Sequence, residues 1–319
     1  MASVCTLLKV FAAAHQSDVP HGDAREITMR SLFERKGRTF VPTDLSRGPR
    51  GPYVLHRGPA TALLARAVES TDGAEETCVT SVAIQVLRPV PLEGLETSAR
   101  LVRRGRPVEI VEAILSRGTS PVARMVAVRV RHGDLAPTPG TIGDLRDLRT
   151  VASAAQAANA EVSLDPRDGF HSSAVERRCV RVLCDEPGRF AEWMRLTVPL
   201  LPDEPTSALC RVCAVADVGL GLSSRPRRGR SSSEPELTVR LERHPLGEWV
   251  CVEQARGEDA GVEGGVTRLF DRQGAIGRAH GSPAAQVSRR SPSRASSISR
   301  LEPSERDIDD LEGPSVLFY

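Results

Sequence analysis

The alternation of apolar and polar positions predicts the same series of elements twice in this chain. In residues 79–86, Val82, Ile84 and Val86 alternate with small or polar residues, as expected for a strand with one buried face. Residues 236–243 repeat this alternation, and both segments run into a basic turn that contains proline. An apolar helix precedes each segment, and three further stretches with strand character follow it. The pattern therefore predicts two copies of one small fold.

One apolar helix is predicted in each copy. The first begins at Pro59 and runs to Glu69, and its apolar residues (60, 63, 64, 67 and 68) have the spacing of an amphipathic helix. The second covers residues 206–217, and Arg211 is its only charge before Asp217. Ala62 and Ala65 widen the first stripe, so that helix is expected to be largely wrapped by a sheet, and the second helix is its counterpart.

Four strands are predicted after each helix. They cover about 79–86, 95–104, 108–115 and 122–130 in the first copy, and 236–243, 248–256, 264–270 and 275–281 in the second. Two more, 174–183 and 189–198, are predicted before the second helix. Short turns between consecutive strands are typical of an antiparallel meander. The predicted fold class is α+β, a tandem (double) hotdog in which each antiparallel sheet wraps around a central helix.

Shifts in composition place the predicted boundaries, and a length of 319 residues favours two domains. A disordered lead-in, an N-terminal hotdog domain, a linker, a C-terminal hotdog domain and a disordered tail are expected at 1–30, 31–135, 136–168, 169–284 and 285–319. The tail is rich in Ser and Arg and then acidic, and it lacks the apolar content that would offset its ordering entropy.

Composition excludes several classes of protein. The net charge of +2 gives no reason to expect a nucleic-acid partner, and no stretch approaches the roughly 18 apolar residues of a membrane span. Aromatic residues make up only 3%, so the core must be aliphatic. The seven cysteines lack the spacing of a disulfide framework, which favours free thiols and a cytoplasmic location. Cys210 and Cys213 are interpreted as packing residues on one helix face.

Several motifs, taken in order, resemble the double-hotdog acyl-CoA thioesterases of the thioesterase II-like superfamily. They are Phe40-Val-Pro-Thr, His56-Arg-Gly-Pro, Leu87-Arg-Pro-Val-Pro, Ala214-Val-Ala-Asp and Arg243-His-Pro-Leu-Gly-Glu-Trp. The resemblance covers about residues 33–282. It implies that water hydrolyses acyl-CoA thioesters without a metal or other cofactor, in lipid metabolism. Assembly into a homo-oligomer is left open.

The resemblance also implies a catalytic group, Asp217, which would hold the attacking water. Its apolar surroundings are expected to raise its pKa, and the alternative is a solvated acid at a helix end. Relatives pair this Asp with a Ser or Thr early in the next strand, for which Ser233 and Thr238 are the candidates. They also have a Gln near the final strand, whereas this chain has none there before Gln286. That departure leaves a non-catalytic acyl-CoA-binding or lipid-binding protein as the alternative.

Substrate contacts are expected at two places. His56 and Gly58 precede the first helix, where hotdog enzymes aim backbone N–H groups at the thioester carbonyl. Relatives more usually have Gly at the position of Arg57. Arg104 and Arg106 flank Gly105 at a hairpin tip and suit the phosphates of coenzyme A. A surface turn whose histidine merely packs, and a solvated basic hairpin, are the respective alternatives.

Overall fold

The computed structural model describes residues 30–49, 51–132, 158–159, 169–180, 189–223, 236–255 and 266–281. In these ranges three α-helices form: α1 (Arg57–Glu69), α2 (Gly169–Ser173) and α3 (Ala208–Ser223). The strands in the same ranges are β1 (Phe33–Lys36), β2 (Thr39–Pro42), β3 (Thr77–Val86), β4 (Glu96–Arg103), β5 (Val108–Arg117), β6 (Ser120–Arg131), β7 (Ala158–Asn159), β8 (Val175–Cys179), β9 (Arg189–Leu196), β10 (Glu236–Leu241), β11 (Val250–Ala255), β12 (Val266–Asp271) and β13 (Gly274–Gly281). The predicted tail, and nearly all of the predicted lead-in and linker, lie outside the described residues.

Eleven of the described strands form one sheet, in the order β4-β5-β6-β3-β10-β13-β12-β11-β9-β8-β7. Read outward from the β3–β10 pair, the order is β3-β6-β5-β4 on one side and β10-β13-β12-β11 on the other. The strand order therefore repeats about this central pair, and the two copies share a continuous sheet. The predicted meander is wrong in one respect, because β3 pairs with β6 and not with β4, its neighbour along the chain.

The central pair joins the copies through apolar side chains. Val82 lies opposite Val239, and Ile84 lies opposite Leu237, in an antiparallel register. All four are buried in the core that also contains the helices. Alternate residues of a strand point to opposite faces of the sheet, so this register places one apolar stripe of each copy against the helices.

Helices α1 and α3 pack against each other over this core and run antiparallel. The Cys210 thiol donates to the Ala62 carbonyl at 3.3 Å. Beyond this crossing, the Ser207 hydroxyl donates to Glu69 at 2.6 Å, and toward the other end Gly58 lies against the carbonyl of Ala214. Helix α3 therefore begins beside the C-terminal end of α1, and α1 begins beside the middle of α3.

The helix limits differ from the sequence prediction at one end. Helix α3 continues to Ser223, so Asp217 lies inside the helix and not at its end as predicted. Cys210 and Cys213 are buried in the core, and burial raises the pKa of both thiols, in agreement with a packing role. Cys179 is disulfide-bonded, so the expectation of free thiols is wrong at that position.

Candidate functional site

Asp217 lies among residues that the sequence separates by about half the chain. Its side chain is only 8% exposed, and its Oδ1 accepts from both Nε and Nη2 of Arg57. Its Oδ2 lies 3.8 Å from Nδ1 of His56. The antiparallel crossing of α1 and α3 produces this arrangement, because it places the start of α1 against the second half of α3. The structure thus brings together three predicted site residues, Asp217, His56 and Gly58.

The pKa of Asp217 is lowered, so the predicted increase is wrong. Burial raises this pKa, as the apolar sequence context suggested, but the charges of Arg57 and His56 and the hydrogen bond from Arg57 outweigh burial. Asp217 is therefore a carboxylate at neutral pH. It can accept a hydrogen bond from water, although the guanidinium weakens it as a base.

His56 caps the start of α1. Its Nδ1 accepts a hydrogen bond from the Gly58 N–H at 3.0 Å, which satisfies one of the backbone donors that every helix start exposes. This geometry assigns the proton of a neutral His56 ring to Nε2. The Gly58 N–H, the donor expected to polarise a thioester carbonyl, is therefore engaged by the His56 ring.

Gly58 is required by the helix crossing. A Cβ at this position would lie 2.3 Å from the Ala214 carbonyl oxygen and 3.0 Å from the Phe170 ring. Contacts under 3.0 Å force a shift, and here the nearest atom belongs to the backbone of α3. The missing side chain therefore sets how closely the start of α1 approaches α3.

Sequence reasoning missed a second histidine in this cluster. The rings of His56 and His171 have centroids 4.3 Å apart, and Phe170 lies 4.9 Å from His56. The charge of His171 contributes to the lowered pKa of Asp217. Both residues come from α2, a five-residue helix whose Phe170 N–H donates to the Arg47 carbonyl. No local motif marks His171, because its place depends on that contact with the first copy.

The structure does not bring Thr238 to Asp217. Thr238 stands on β10 between Leu237 and Val239, which are fully buried on the helix side of the sheet. Its side chain therefore belongs to the opposite face, where its neighbours across the strands are Ala83 and His280. Ser233 and Gln286 lie outside the described residues.

Arg104 and Arg106 are exposed in the turn between β4 and β5. Arg104 lines a groove of about 410 Å³ beside the C-terminal half of α1, together with Arg66 and Arg100. The 13 residues of α1 span about 20 Å, and His56 caps the opposite end. The structure therefore separates Arg104, a predicted phosphate contact, from the Asp217 cluster.

Comparisons with known proteins agree with this architecture. Residues 46–130 match the family described as the acyl-CoA thioesterase N-terminal domain. A candidate thioesterase from Novosphingobium aromaticivorans superposes with a TM-score of 0.60 at 17% identity, over 78% of this chain and 96% of its own. The tesB protein of Mycobacterium avium subspecies paratuberculosis gives 0.53 at 16% identity, over 78% and 93%. A hot dog fold protein of unknown function from Alicyclobacillus acidocaldarius gives 0.56 at 14% identity, over 78% and 93%.

These findings confirm the hotdog fold, and the structural likeness at such identities shows the fold alone. The resemblance to thioesterase II-like proteins is confirmed where the family match applies, in the first copy. No protein with a curated description matches the sequence. Among the helices described, none is both long and apolar enough to cross a membrane.

Proposed function

We propose that this protein is an acyl-CoA thioesterase-like hydrolase in which Asp217 holds the attacking water. The observation that carries the proposal is a buried, ionised carboxylate beside the start of α1, at the contact of the two copies. A helix start concentrates partial positive charge, which suits the oxyanion that forms when water adds to a carbonyl. The family match of residues 46–130 supports acyl-CoA as the substrate class.

In the proposed reaction, the oxygen of water attacks the thioester carbonyl carbon and Asp217 accepts a proton from that water. The thioester carbonyl oxygen replaces Nδ1 of His56 as the acceptor of the hydrogen bond from the Gly58 N–H. The guanidinium of Arg57 adds positive charge beside that oxygen. Collapse of the tetrahedral intermediate breaks the C–S bond. The sulfur leaves with the bonding electron pair and receives the proton from Asp217, which yields a free acid and a thiol.

A second function, non-catalytic binding of acyl-CoA, is favoured by the Arg57–Asp217 pair. The guanidinium occupies one carboxylate oxygen and lowers the pKa of Asp217, and both effects weaken proton transfer from water. The position of Thr238 on the far face of the sheet favours the same alternative, since no hydroxyl from β10 then assists Asp217.

Thiol release and ligand binding, measured on the same protein, separate the two functions. Acyl-CoA esters of short, medium and long chain are assayed for turnover, and hydrolysis-resistant thioether analogues are titrated by calorimetry. Asp217→Asn is expected to lower turnover by about 10²–10⁴-fold, the usual contribution of a general base. Asp203→Asn, at an exposed position before α3, is the matched control and should keep full turnover.

Two results would contradict the proposal in different ways. Full turnover in Asp217→Asn removes Asp217 from the mechanism. Tight thioether binding by the unmodified protein, with no turnover at any chain length, selects the binding function.

A further inference from the structure

Asp217 on α3 has a counterpart on α1, Glu69, in relation to the point where the two helices cross. Ala62 and Cys210 touch where α1 and α3 cross. Asp217 follows Cys210 by seven residues, and Glu69 follows Ala62 by seven residues, about two turns in each case. Because the helices are antiparallel, each carboxylate lies at the start of the other helix. Glu69 thus occupies on α1 the place that Asp217 occupies on α3.

The start of α3 receives Glu69 through a serine. The Ser207 hydroxyl donates to Oε2 of Glu69 at 2.6 Å and accepts from the Cys210 N–H at 3.0 Å. The Cys210 thiol lies 3.6 Å from the same carboxylate oxygen. Glu69 is therefore held by a hydroxyl and a thiol, whereas Asp217 is held by a guanidinium.

Because the partners differ, the pKa of Glu69 shifts in the opposite direction from the pKa of Asp217. Burial raises the pKa of Glu69, and the hydrogen bonds from Ser207 and Cys210, with the charges of His244 and Arg211, offset the increase only in part. A carboxylate with a raised pKa is a stronger base than an arginine-paired one.

Glu69 lines a cavity. The cavity has a volume of about 490 Å³, within the range of small-molecule sites, and its walls include Val68, Val79 and His244. His244 Nε2 lies 2.9 Å from the Val79 carbonyl, so Nε2 carries the proton of a neutral ring. The site thus combines two valines with a partly buried carboxylate and an imidazole, and most of its remaining lining is polar, including Asp72, Glu75 and Arg129.

The basic groove adjoins this cavity. Ser70, Thr71 and Asp72 line both, so the groove that Arg104 lines continues from the end of α1 where Glu69 lies. Arg100 and Arg104 are 71% and 65% exposed there. Each guanidinium is paired with a buried carboxylate, Arg100 with Glu112 and Arg104 with Glu109, and each keeps enough exposed surface to meet the phosphate groups of a ligand.

We propose that this cavity is a second thioester site, in which Glu69 holds the attacking water and the groove receives the phosphates of the thiol carrier. Its ligand class rests on the proposed function, but its location does not rest on Asp217. Water oxygen bonds to the carbonyl carbon while Glu69 takes a proton, and the C–S bond breaks. The sulfur leaves with the electron pair and recovers that proton, giving acid and thiol.

Binding at the cavity is tested with the thioether analogue of hexanoyl-CoA on the full chain. Ser70→Trp places an indole where cavity and groove meet, at an exposed position. Glu76→Trp, at an exposed position that itself lines neither the cavity nor the groove, is the control. We expect Ser70→Trp to weaken analogue binding at least tenfold and Glu76→Trp to leave it unchanged. Equal affinities in the two variants, both folded by circular dichroism, would overturn the site whether or not the protein hydrolyses thioesters.

The role of Glu69 is tested by hexanoyl-CoA turnover in an Asp217→Asn background. Glu69→Gln should reduce the turnover that remains at least tenfold, whereas Glu76→Gln should not. If Asp217→Asn alone removes all turnover, the hydrolytic role of Glu69 is wrong and the proposed role of Asp217 stands. If Glu69→Gln alone removes it, the second site is supported and the proposed role of Asp217 fails. A protein without any turnover contradicts both roles.

Discussion

Removing Arg57 tests the central electrostatic feature of the Asp217 cluster. Arg57→Met keeps a straight apolar stem but takes away the guanidinium that contacts Oδ1. The two side chains are 16% and 8% exposed, so this pair is largely withdrawn from solvent. Breaking a buried pair from one side costs about 3–5 kcal/mol because it leaves an uncompensated charge. His56 cannot fully replace Arg57, since its Nδ1 accepts the Gly58 N–H.

The assay is urea unfolding at neutral pH, repeated in acid. We expect Arg57→Met to lower the free energy of unfolding by about 3–5 kcal/mol at pH 7. The pKa of Asp217 is below its ordinary value of 3.8 in the folded protein, so its contribution is present above that pH and is lost as pH falls through the folded pKa. Without Arg57, burial raises that pKa and the acid protonates more readily. The cost of Arg57→Met should therefore shrink as the solution is acidified.

A double-mutant cycle isolates the pair. In an Asp217→Asn background, Arg57→Met should cost less than about 1 kcal/mol, since no buried charge is left behind. Arg117→Met is the exposed control, because Arg117 and Glu93 are 57% and 55% exposed and such pairs contribute about 0–1 kcal/mol. A cost of under about 1 kcal/mol for Arg57→Met at pH 7, or an equal cost with and without the Asp217→Asn change, would contradict a strongly coupled buried pair.

Three further changes test the helix pair and the sheet. Gly58→Ala forces its Cβ against a carbonyl of α3 and should lower stability by about 1–3 kcal/mol in thermal unfolding, and an unchanged melting temperature would contradict the close approach. Glu69 has a folded pKa above its ordinary 4.5, so the wild-type protein should lose stability as pH rises from 4.5 through the folded pKa. Glu69→Gln should remove that loss, and parallel stability curves from urea titrations at several pH values would count against it. Arg129→Met strips a buried partner from Glu109 and should cost about 3–5 kcal/mol in urea unfolding, against under about 1 kcal/mol for the more exposed Arg131→Met.

The elements of this fold could be predicted because their patterns are local. The alternation at Val82 and Ile84 and the helical spacing of 60–68 each depend on one element and the face it buries. The end of α3 could not be predicted in this way. The sequence prediction ended this helix at Asp217, but the helix continues to Ser223. The pairing of β3 with β6 is equally non-local.

The residues of the candidate site also divide into those that local sequence predicts and those that only the folded chain brings together. Asp217 and His56 stood out through their local context and the family resemblance, but the sequence contained no sign that Arg57 would pair with Asp217. That contact, and the approach of His171, exist only because α1 and α3 cross antiparallel and α2 docks on the first copy. The position of Thr238 is different. It could have been predicted from period 2, because Leu237 and Val239 on either side must both face the core.

The two ends of the helix pair offer the same geometry with opposite electrostatics. Asp217 and Glu69 lie at matching distances from one crossing, each at the start of the partner helix, and each is at least partly withdrawn from solvent. The guanidinium of Arg57 lowers the pKa of Asp217. Burial raises the pKa of Glu69, and the hydrogen bond from Ser207 offsets that increase only in part. A general base works best when its pKa approaches the working pH, so Glu69 is the stronger proton acceptor and Asp217 the more firmly held charge. Among the groups that lower the pKa of Asp217, Arg57 contributes most, whereas Ser207 contributes most among those that lower the pKa of Glu69. The neighbours of the two carboxylates therefore set their different acidities, since the helix geometry treats both alike.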